Sequence, residues 1–407
     1  MSLRQQVSAV KGSAAELLAA SESQRHQVLT ALAELLRTHQ HEIVAQNQRD
    51  LAAGTTLSPA LLNRLTLTPA GIEAMARGVE AIAQGPAVVG VITEGRRRAD
   101  GLVIEKERIP LGVIAMVFES RPNVVIDGAA LAIKSGNALI LKGGKEAAHS
   151  NRYLAQLVHR AMQGLLPRES LLLLETREAV DEILRMDEFI DLMVPRGGEA
   201  LIRHVKAHAT MPVVAHDRGL CHMYLHEDAP WEMARDIVLN AKTQRPGVCN
   251  ALETLLVHRA WPHTVRLIDE LRAKEVQLKG CSAASALHSA VERASEEDWN
   301  TEWLALTLNL KIVPTAAEAL AHIRRYGSHH TEGLVTQDGA LIAQFKASID
   351  ASCLAINAST RFNDGGELGL GAELGISTSK LHAYGPMGVQ EMTTTRFVVT
   401  GQGHTRK

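Results

Sequence analysis

Cys249 is the residue whose type and setting most favour covalent chemistry. It follows Pro246 and Gly247 in a turn between a helical pattern and a strand pattern, so its thiol is expected at the mouth of a cleft. The nearby cations Lys242 and Arg245 favour the thiolate, which is the nucleophilic form. A buried structural cysteine is the common alternative, but these polar and cationic surroundings favour a nucleophile.

Two positively charged glycine turns follow strand-like segments and suit an anionic ligand. The first turn contains Lys142, Gly143, Gly144 and Lys145, and the second contains Arg196, Gly197 and Gly198. Glycine lets a ligand approach the backbone, and helix N-termini attract anions. Neither turn matches a P-loop or GxGxxG, and a plain turn with solvated lysines would explain the first alone. Two such turns at the carboxyl edge of one sheet favour a nucleotide or dinucleotide.

Length and composition restrict the class of protein. The 407 residues suffice for two or three domains, and 46% hydrophobic with 22% charged residues is typical of soluble proteins. A net charge of -2 implies no large basic surface for nucleic acid. No apolar run is long enough to span a membrane. Four scattered cysteines without a CxxC pair predict a reducing cytoplasm, no disulfide framework and no metal site.

The elements that position these residues follow an α/β rhythm. Ser21 and Gln24 have the spacing of a capping box and predict a helix over 21–47, and a second helical region follows Pro69. Further strands are predicted at 102–109, 111–118, 138–141, 171–174, 189–194, 211–214, 253–257, 303–313, 332–336 and 352–357. The intervening helices are predicted at 125–134, 150–164, 177–186, 198–208, 230–243, 262–273, 315–326 and 339–347. The predicted fold is two doubly wound α/β domains with a small oligomerisation hairpin.

The order of several motifs resembles the aldehyde dehydrogenase superfamily over nearly the whole chain. The motifs lie at 118–124, 136–146, 194–198, 240–254, 357–362, 364–366, 369–373 and 385–388. In particular, they resemble the branch that reduces L-glutamyl 5-phosphate to L-glutamate 5-semialdehyde and phosphate with NADPH, the second step of proline biosynthesis. The alternatives are a general NAD(P)-dependent aldehyde dehydrogenase and a non-catalytic relative of that fold.

The resemblance implies a division of the chain. An NADP-binding domain is expected at 1–95 and 110–233, and a catalytic domain with Cys249 at 234–358. Residues 96–109 and 385–407 form the expected oligomerisation element, with a hairpin near 96–109 and a terminal strand near 390–400. Residues 359–384 return along the active site. A homodimer or homotetramer fits this element, and the pathway favours glutamate kinase as a partner because acyl phosphates hydrolyse.

The resemblance also implies roles for single residues. Cys249 is the expected nucleophile that forms a thioester, and its backbone N–H with the Asn123 amide would stabilise the oxyanion. Arg121 and Arg361 are expected to bind substrate, with Arg361 suited to a carboxylate or phosphate.

The cofactor roles follow in the same way. Lys142 matches the superfamily lysine that contacts the adenosine ribose. Lys145 stands where NAD-preferring members often have a glutamate, so NADPH is expected. Both glycine turns belong to this cofactor set. Glu302 matches the glutamate that holds the nicotinamide ribose, although an exposed charge at a strand entry is the alternative.

Two positions depart from the superfamily pattern. Hydrolytic members carry a water-activating glutamate about thirty residues before the cysteine, whereas residues 214–220 contain none and His216 stands nearest. This absence favours reduction over hydrolysis, and ordinary loop polarity explains His216 and Asp217 equally well. Tyr384 replaces an arginine that is usual in the branch.

Overall fold

In a computed structural model of the chain, strands alternate with helices as the apolar pattern predicts. The structure describes residues 1–54, 57, 59–215 and 218–406. The strands are β1 (Ile92–Arg97), β2 (Val103–Pro110), β3 (Val113–Phe118), β4 (Ala138–Lys142), β5 (Leu171–Leu174), β6 (Leu192–Arg196), β7 (Cys221–Leu225), β8 (Leu252–His258), β9 (Gln277–Gly280), β10 (Val291–Arg293), β11 (Thr307–Val313), β12 (Thr331–Val335), β13 (Cys353–Ile356), β14 (Ile376–Ser377), β15 (Gly385–Pro386) and β16 (Thr393–Thr400).

The helices lie between these strands and before the first of them. They are α1 (Leu3–Ala19), α2 (Glu22–Thr38), α3 (Gln40–Ala53), α4 (Pro59–Leu65), α5 (Pro69–Gln84), α6 (Asn123–Ser135), α7 (Ala148–Met162), α8 (Glu178–Ile183), α9 (Glu199–His208), α10 (Trp231–Thr243), α11 (Thr264–Ala273), α12 (Ser282–Leu287), α13 (Ala316–Tyr326) and α14 (Gly339–Ser348). Within the described ranges, every helix is too short or too polar to cross a lipid bilayer.

The first unit comprises residues 1–215, 369–375 and 387–406. Its parallel sheet has the order β5-β4-β3-β6. Every side chain of β3 is buried, which is typical of a parallel strand covered on both faces. Because β3 pairs in parallel with both β4 and β6, the carboxyl ends of these three strands lie at one edge of the sheet. A separate antiparallel sheet of order β1-β2-β16 contains the predicted hairpin and terminal strand.

The second unit comprises residues 218–368 and 376–386. Its parallel sheet has the order β10-β9-β11-β8-β7-β12-β13. One apolar cluster contains side chains of α10, α11 and α12, including Val238 and Leu267. Another contains side chains of α13 and α14, including Leu320 and Phe345. Helices therefore pack against the sheet in two separate clusters, as expected for a doubly wound α/β unit.

The capping box predicted from Ser21 and Gln24 is confirmed, because its hydrogen bonds form within the segment itself. The Ser21 hydroxyl accepts the Gln24 N–H at 3.2 Å, and the Gln24 side chain accepts the Ser21 N–H at 2.9 Å. The single helix predicted over 21–47 is wrong, because it breaks at His39. The His39 ring lies 2.9 Å from an Arg160 guanidinium nitrogen on α7, so a tertiary contact holds the break.

Two strand predictions also differ from the structure. The predicted strand 211–214 is reduced to a single bridge between Met193 and Val213. The sequence missed β7, which is fully buried and pairs with β8 and β12. For this reason residues 218–233 belong to the second unit, whereas the sequence-based boundary falls after residue 233.

Candidate active site

Cys249 lies in the connection between α10 and β8, directly before β8 begins. Its side chain is half-buried, and the next turn is closed by the Ala251 N–H, which donates to the Val248 carbonyl at 3.1 Å. Because β8 runs parallel to its neighbours, this connection lies at the amino-terminal edge of the second sheet. A half-buried cysteine thus lies directly before a strand of the sheet.

A buried ion pair brackets the connection that contains Cys249. The Lys242 ammonium, near the end of α10, lies 3.0 Å from the Glu253 carboxylate on β8, and both side chains are fully buried. Burial raises the Glu253 pKa to about 7, although the Lys242 charge opposes the rise. Burial likewise lowers the Lys242 pKa. The Lys242 ammonium thus ties α10 to β8 through Glu253, and its effect on the Cys249 thiol stays a prediction.

Gly219 lies against the backbone of Cys249. A methyl group on Gly219 would stand 1.9 Å from the Cys249 carbonyl oxygen and 2.7 Å from its Cα. Only glycine allows this approach. The Gly219 N–H donates to the Glu302 carboxylate at 3.0 Å, so Glu302 and Cys249 contact the same short segment.

Asn250 joins the connection to the loop that contains Arg361. Its side-chain amide donates to the Asn363 carbonyl at 2.9 Å, and its own carbonyl accepts the Thr360 hydroxyl at 2.7 Å. Asn250, Thr360 and Asn363 are all buried. The Arg361 Nε donates to the Gln244 side chain at 2.8 Å. The nucleophile candidate and this arginine are therefore positioned by the same hydrogen-bond network.

The charge environment of Arg361 includes Cys249. The Arg361 pKa is lowered, chiefly by burial and further by the charge of Arg245. The charges of Asp364 and Cys249 oppose this lowering. A half-buried guanidinium is more weakly screened than an exposed one and is suited to a planar anion. The second unit thus brings together three predicted site residues, Cys249, Glu302 and Arg361, through short contacts with neighbouring segments.

In the first unit, the turn after β4 leads through a single 3₁₀ turn into α7. Lys142 is half-buried and Lys145 is exposed. Burial lowers the Lys142 pKa, and the charge of Glu146 opposes this effect. Gly143 is required by packing, since a methyl group there would stand 2.1 Å from the Asn151 amide nitrogen.

Two carboxylates fix the loops at the same edge. Glu146 accepts the Ser120 N–H at 2.7 Å and its hydroxyl at 2.6 Å. Burial alone would raise the Glu146 pKa, but these hydrogen bonds and Lys142 hold it below its usual range. Glu119, after β3, accepts the Gly198 N–H at 2.7 Å. The predicted glycine turns after β4 and β6 therefore share one sheet edge, each bound to the loop after β3.

The remaining predicted residues of the first unit lie on neighbouring segments. Arg196 ends β6 and Gly197 is exposed before α9, while Arg121 is half-buried before α6. The Asn123 amide, at the first position of α6, donates to the Asp127 carboxylate at 2.8 Å. Burial raises the Asp127 pKa, while Asn123 and Arg196 oppose the rise.

Several positions were missed by the sequence or lie outside its motifs. His216 and Asp217 are outside the described residues. Gly219 lies within residues 214–220, the stretch where hydrolytic members of the superfamily carry a water-activating glutamate. No local pattern in the sequence indicated its contact with Cys249. Tyr384, at the departure from the usual arginine, donates its hydroxyl to Asp350 at 3.0 Å.

Comparison with known proteins shows the family of this chain. The model of the aldehyde dehydrogenase family matches residues 3–296, and the chain belongs to this family. Gamma-glutamyl phosphate reductases of Desulforapulum autotrophicum and Desulfovibrio desulfuricans are 47% and 48% identical, covering 96% and 98% of this chain and 95% and 97% of theirs.

Solved structures give the same result for the fold. The crystal structure of gamma-glutamyl phosphate reductase from Thermotoga maritima has a TM-score of 0.96 and 36% identity, with full coverage of both chains. An acetylating aldehyde dehydrogenase from Geobacillus thermoglucosidasius has a TM-score of 0.73 at 18% identity, covering 100% of this chain and 97% of its own, which supports the fold alone. The resemblance recognised in the sequence is confirmed. The family and the reductase names of the relatives also imply a nicotinamide cofactor.

Proposed function

We propose that this protein reduces L-glutamyl 5-phosphate to L-glutamate 5-semialdehyde and phosphate with NADPH. The observation that carries the proposal is the fixed connection around half-buried Cys249, with Arg361 in the same hydrogen-bond network. The names of the relatives at 47% and 48% identity support the substrate. In proline biosynthesis this reaction consumes the acyl phosphate that a kinase supplies.

Cys249 is the proposed nucleophile. Its thiolate attacks the acyl carbonyl carbon, a C–S bond forms, the carbon–phosphate oxygen bond breaks and phosphate leaves with the electron pair. The resulting thioester splits one difficult reduction into two easier steps. The Cys249 backbone N–H and the Asn123 amide are the proposed donors to the oxyanion. Glycine at position 219 leaves room for this backbone, because a methyl group there would overlap the Cys249 carbonyl.

The carboxyl edge of the first sheet fits a nicotinamide dinucleotide in chemical terms. It carries half-buried Lys142, exposed Lys145 and the exposed Gly197–Gly198 turn before α9. These groups suit phosphate and ribose oxygens. Lys142, Lys145 and the two glycine turns are proposed to hold the cofactor, with Glu302 as a further contact to ribose. When bound, the cofactor supplies the hydride that reduces the thioester.

Lys145→Glu is expected to reverse the coenzyme preference. A carboxylate at this exposed position repels a 2′-phosphate, whereas the lysine attracts it. We expect the ratio of kcat/KM for NADPH to that for NADH to fall about 10- to 100-fold, as a change of one or two close charge interactions would give. Steady-state kinetics with both coenzymes measure the ratio. Lys346→Glu on α14 is the control, because it makes the same charge change away from the proposed cofactor residues and should leave the ratio unchanged. An unchanged ratio would exclude Lys145 from coenzyme selection.

Arg361→Lys is expected to weaken substrate binding. Lysine keeps the charge but loses the planar fork that pairs with a carboxylate or phosphate through two hydrogen bonds. We expect the KM for the acyl substrate to rise about tenfold, which corresponds to roughly one lost hydrogen bond to a charged group. The KM for NADPH should stay within twofold. Arg325→Lys on α13 is the control, and an unchanged substrate KM for Arg361→Lys would contradict the assignment.

The reaction itself is tested in the oxidative direction. With L-glutamate 5-semialdehyde, NADP reduction should require inorganic phosphate, because phosphate releases the acyl group from the thioester. Propionaldehyde is the control substrate and should react poorly. Turnover that is independent of phosphate would favour a general aldehyde dehydrogenase, and a purified protein with no activity would favour a non-catalytic relative.

The sheet β1-β2-β16 is the proposed oligomerisation element. Phe397 and Val399 on β16 and Ile92 on β1 are large apolar residues that are exposed in the single chain. Burial of such side chains against a second copy would favour a homodimer or homotetramer. A glutamate kinase partner is proposed on chemical grounds, because direct transfer would protect the acyl phosphate from water. Sedimentation of the protein alone and with the kinase tests both proposals.

A further inference from the structure

Cys221 contacts the backbone of the proposed nucleophile. It is the first residue of β7 and is completely buried. Its Sγ lies 3.2 Å from the carbonyl oxygen of Cys249. The two residues are distant in sequence, but β7 and β8 are adjacent parallel strands, so their amino-terminal ends meet.

The surroundings of Cys221 define the direction of its hydrogen bond. A thiol has a single proton to donate, and a carbonyl oxygen can only accept, so Sγ is the donor in its contact with Cys249. The ring nitrogen Nδ1 of His330 lies farther away, at 3.7 Å from Sγ, and 2.8 Å from the Thr331 hydroxyl. The carbonyl of Cys249 is therefore the nearer acceptor for the thiol proton.

The thiol of Cys221 remains protonated over the range in which enzymes work. Burial raises its pKa well above the usual value, and the charges of Glu332 and Cys249 add to the rise, while the Thr331 hydrogen bond opposes it. A protonated, buried thiol acts as a hydrogen-bond donor and is a poor nucleophile. The two neighbouring cysteines thus have different environments, one enclosed and one half-buried.

We propose that Cys221 is a positioning residue, whose S–H holds the carbonyl of Cys249 and thereby the direction of the Cys249 side chain. Gly219 also lies against this peptide, because a single added methyl group would overlap it. Together they fix the peptide that follows the nucleophile. This proposal rests on the proposed role of Cys249 in the reaction.

The experiment compares Cys221→Ala with Cys221→Ser. Alanine removes the donor, and we expect kcat to fall about five- to tenfold, the range for one lost hydrogen bond. The KM for NADPH should change less than twofold. Serine retains an O–H donor and should restore at least about half of the original kcat. Cys353→Ala, at the first residue of β13, is the matched control and should leave kcat and thermal unfolding unchanged.

Hydrogen exchange of a peptide that covers residues 244–252 gives a readout that is independent of turnover. Its amides should exchange faster in Cys221→Ala and at the original rate in Cys221→Ser and Cys353→Ala. The proposal is overturned if Cys221→Ala leaves both kcat and exchange unchanged, or if serine loses as much kcat as alanine. If Cys249→Ala retained activity, the proposed function would fail, while faster exchange in Cys221→Ala would still support the hydrogen bond.

Discussion

Cys249→Ala is expected to abolish turnover. Without the thiolate no thioester forms, and the residual rate should be on the order of 10⁴-fold or more below the original, as for other enzymes that lose a covalent nucleophile. Phosphate-dependent NADP reduction with L-glutamate 5-semialdehyde measures this loss. Binding of NADP should persist, because the proposed cofactor residues are unchanged.

The control for this variant is another half-buried cysteine of the same unit. Cys353→Ala removes the same atoms from the start of β13, and it should retain activity within about twofold because it lies outside the proposed chemistry. Cys249→Ala should unfold at the same temperature as the original protein, since it shortens a side chain in a connection. Turnover within tenfold of the original would rule out Cys249 as the nucleophile.

Gly219→Ala is expected to have the second largest effect. The added methyl group would stand 1.9 Å from the Cys249 carbonyl oxygen and 2.6 Å from its carbonyl carbon. The backbone must therefore shift by about an ångström, and a misplacement of this size lowers kcat on the order of 100-fold. Steady-state kinetics measure the loss, and calorimetry measures the accompanying change in stability.

Overpacking at Gly219 is also expected to destabilise the fold by about 1–3 kcal/mol. Gly339→Ala, at the start of α14, is the matched control, because nothing lies within 4 Å of the added methyl group. The control should keep full activity. If Gly219→Ala kept activity within twofold, the contact between Gly219 and Cys249 would have no importance for the reaction.

Much of the fold follows from patterns that lie within single segments. Apolar runs predict β3 and β5, and the capping residues at 21 and 24 predict the start of α2, because short-range hydrogen bonds and burial on both faces decide these elements. The missed strand β7 has an ordinary mixed sequence, Cys221–Leu225. Its pairing with β8 and β12 comes from distant parts of the chain, so no local pattern marks it.

The sequence by itself determined the family, the α/β class, the cysteine that follows a Pro-Gly turn and the two glycine turns with their charges. These features depend on residue type and on spacing over a few positions. Only the tertiary structure decided that Gly219 and Cys221 reach the Cys249 backbone, and that Lys242 and Glu253 form a buried ion pair. The physical reason is that parallel pairing of β7 with β8 joins segments about thirty residues apart at one sheet edge.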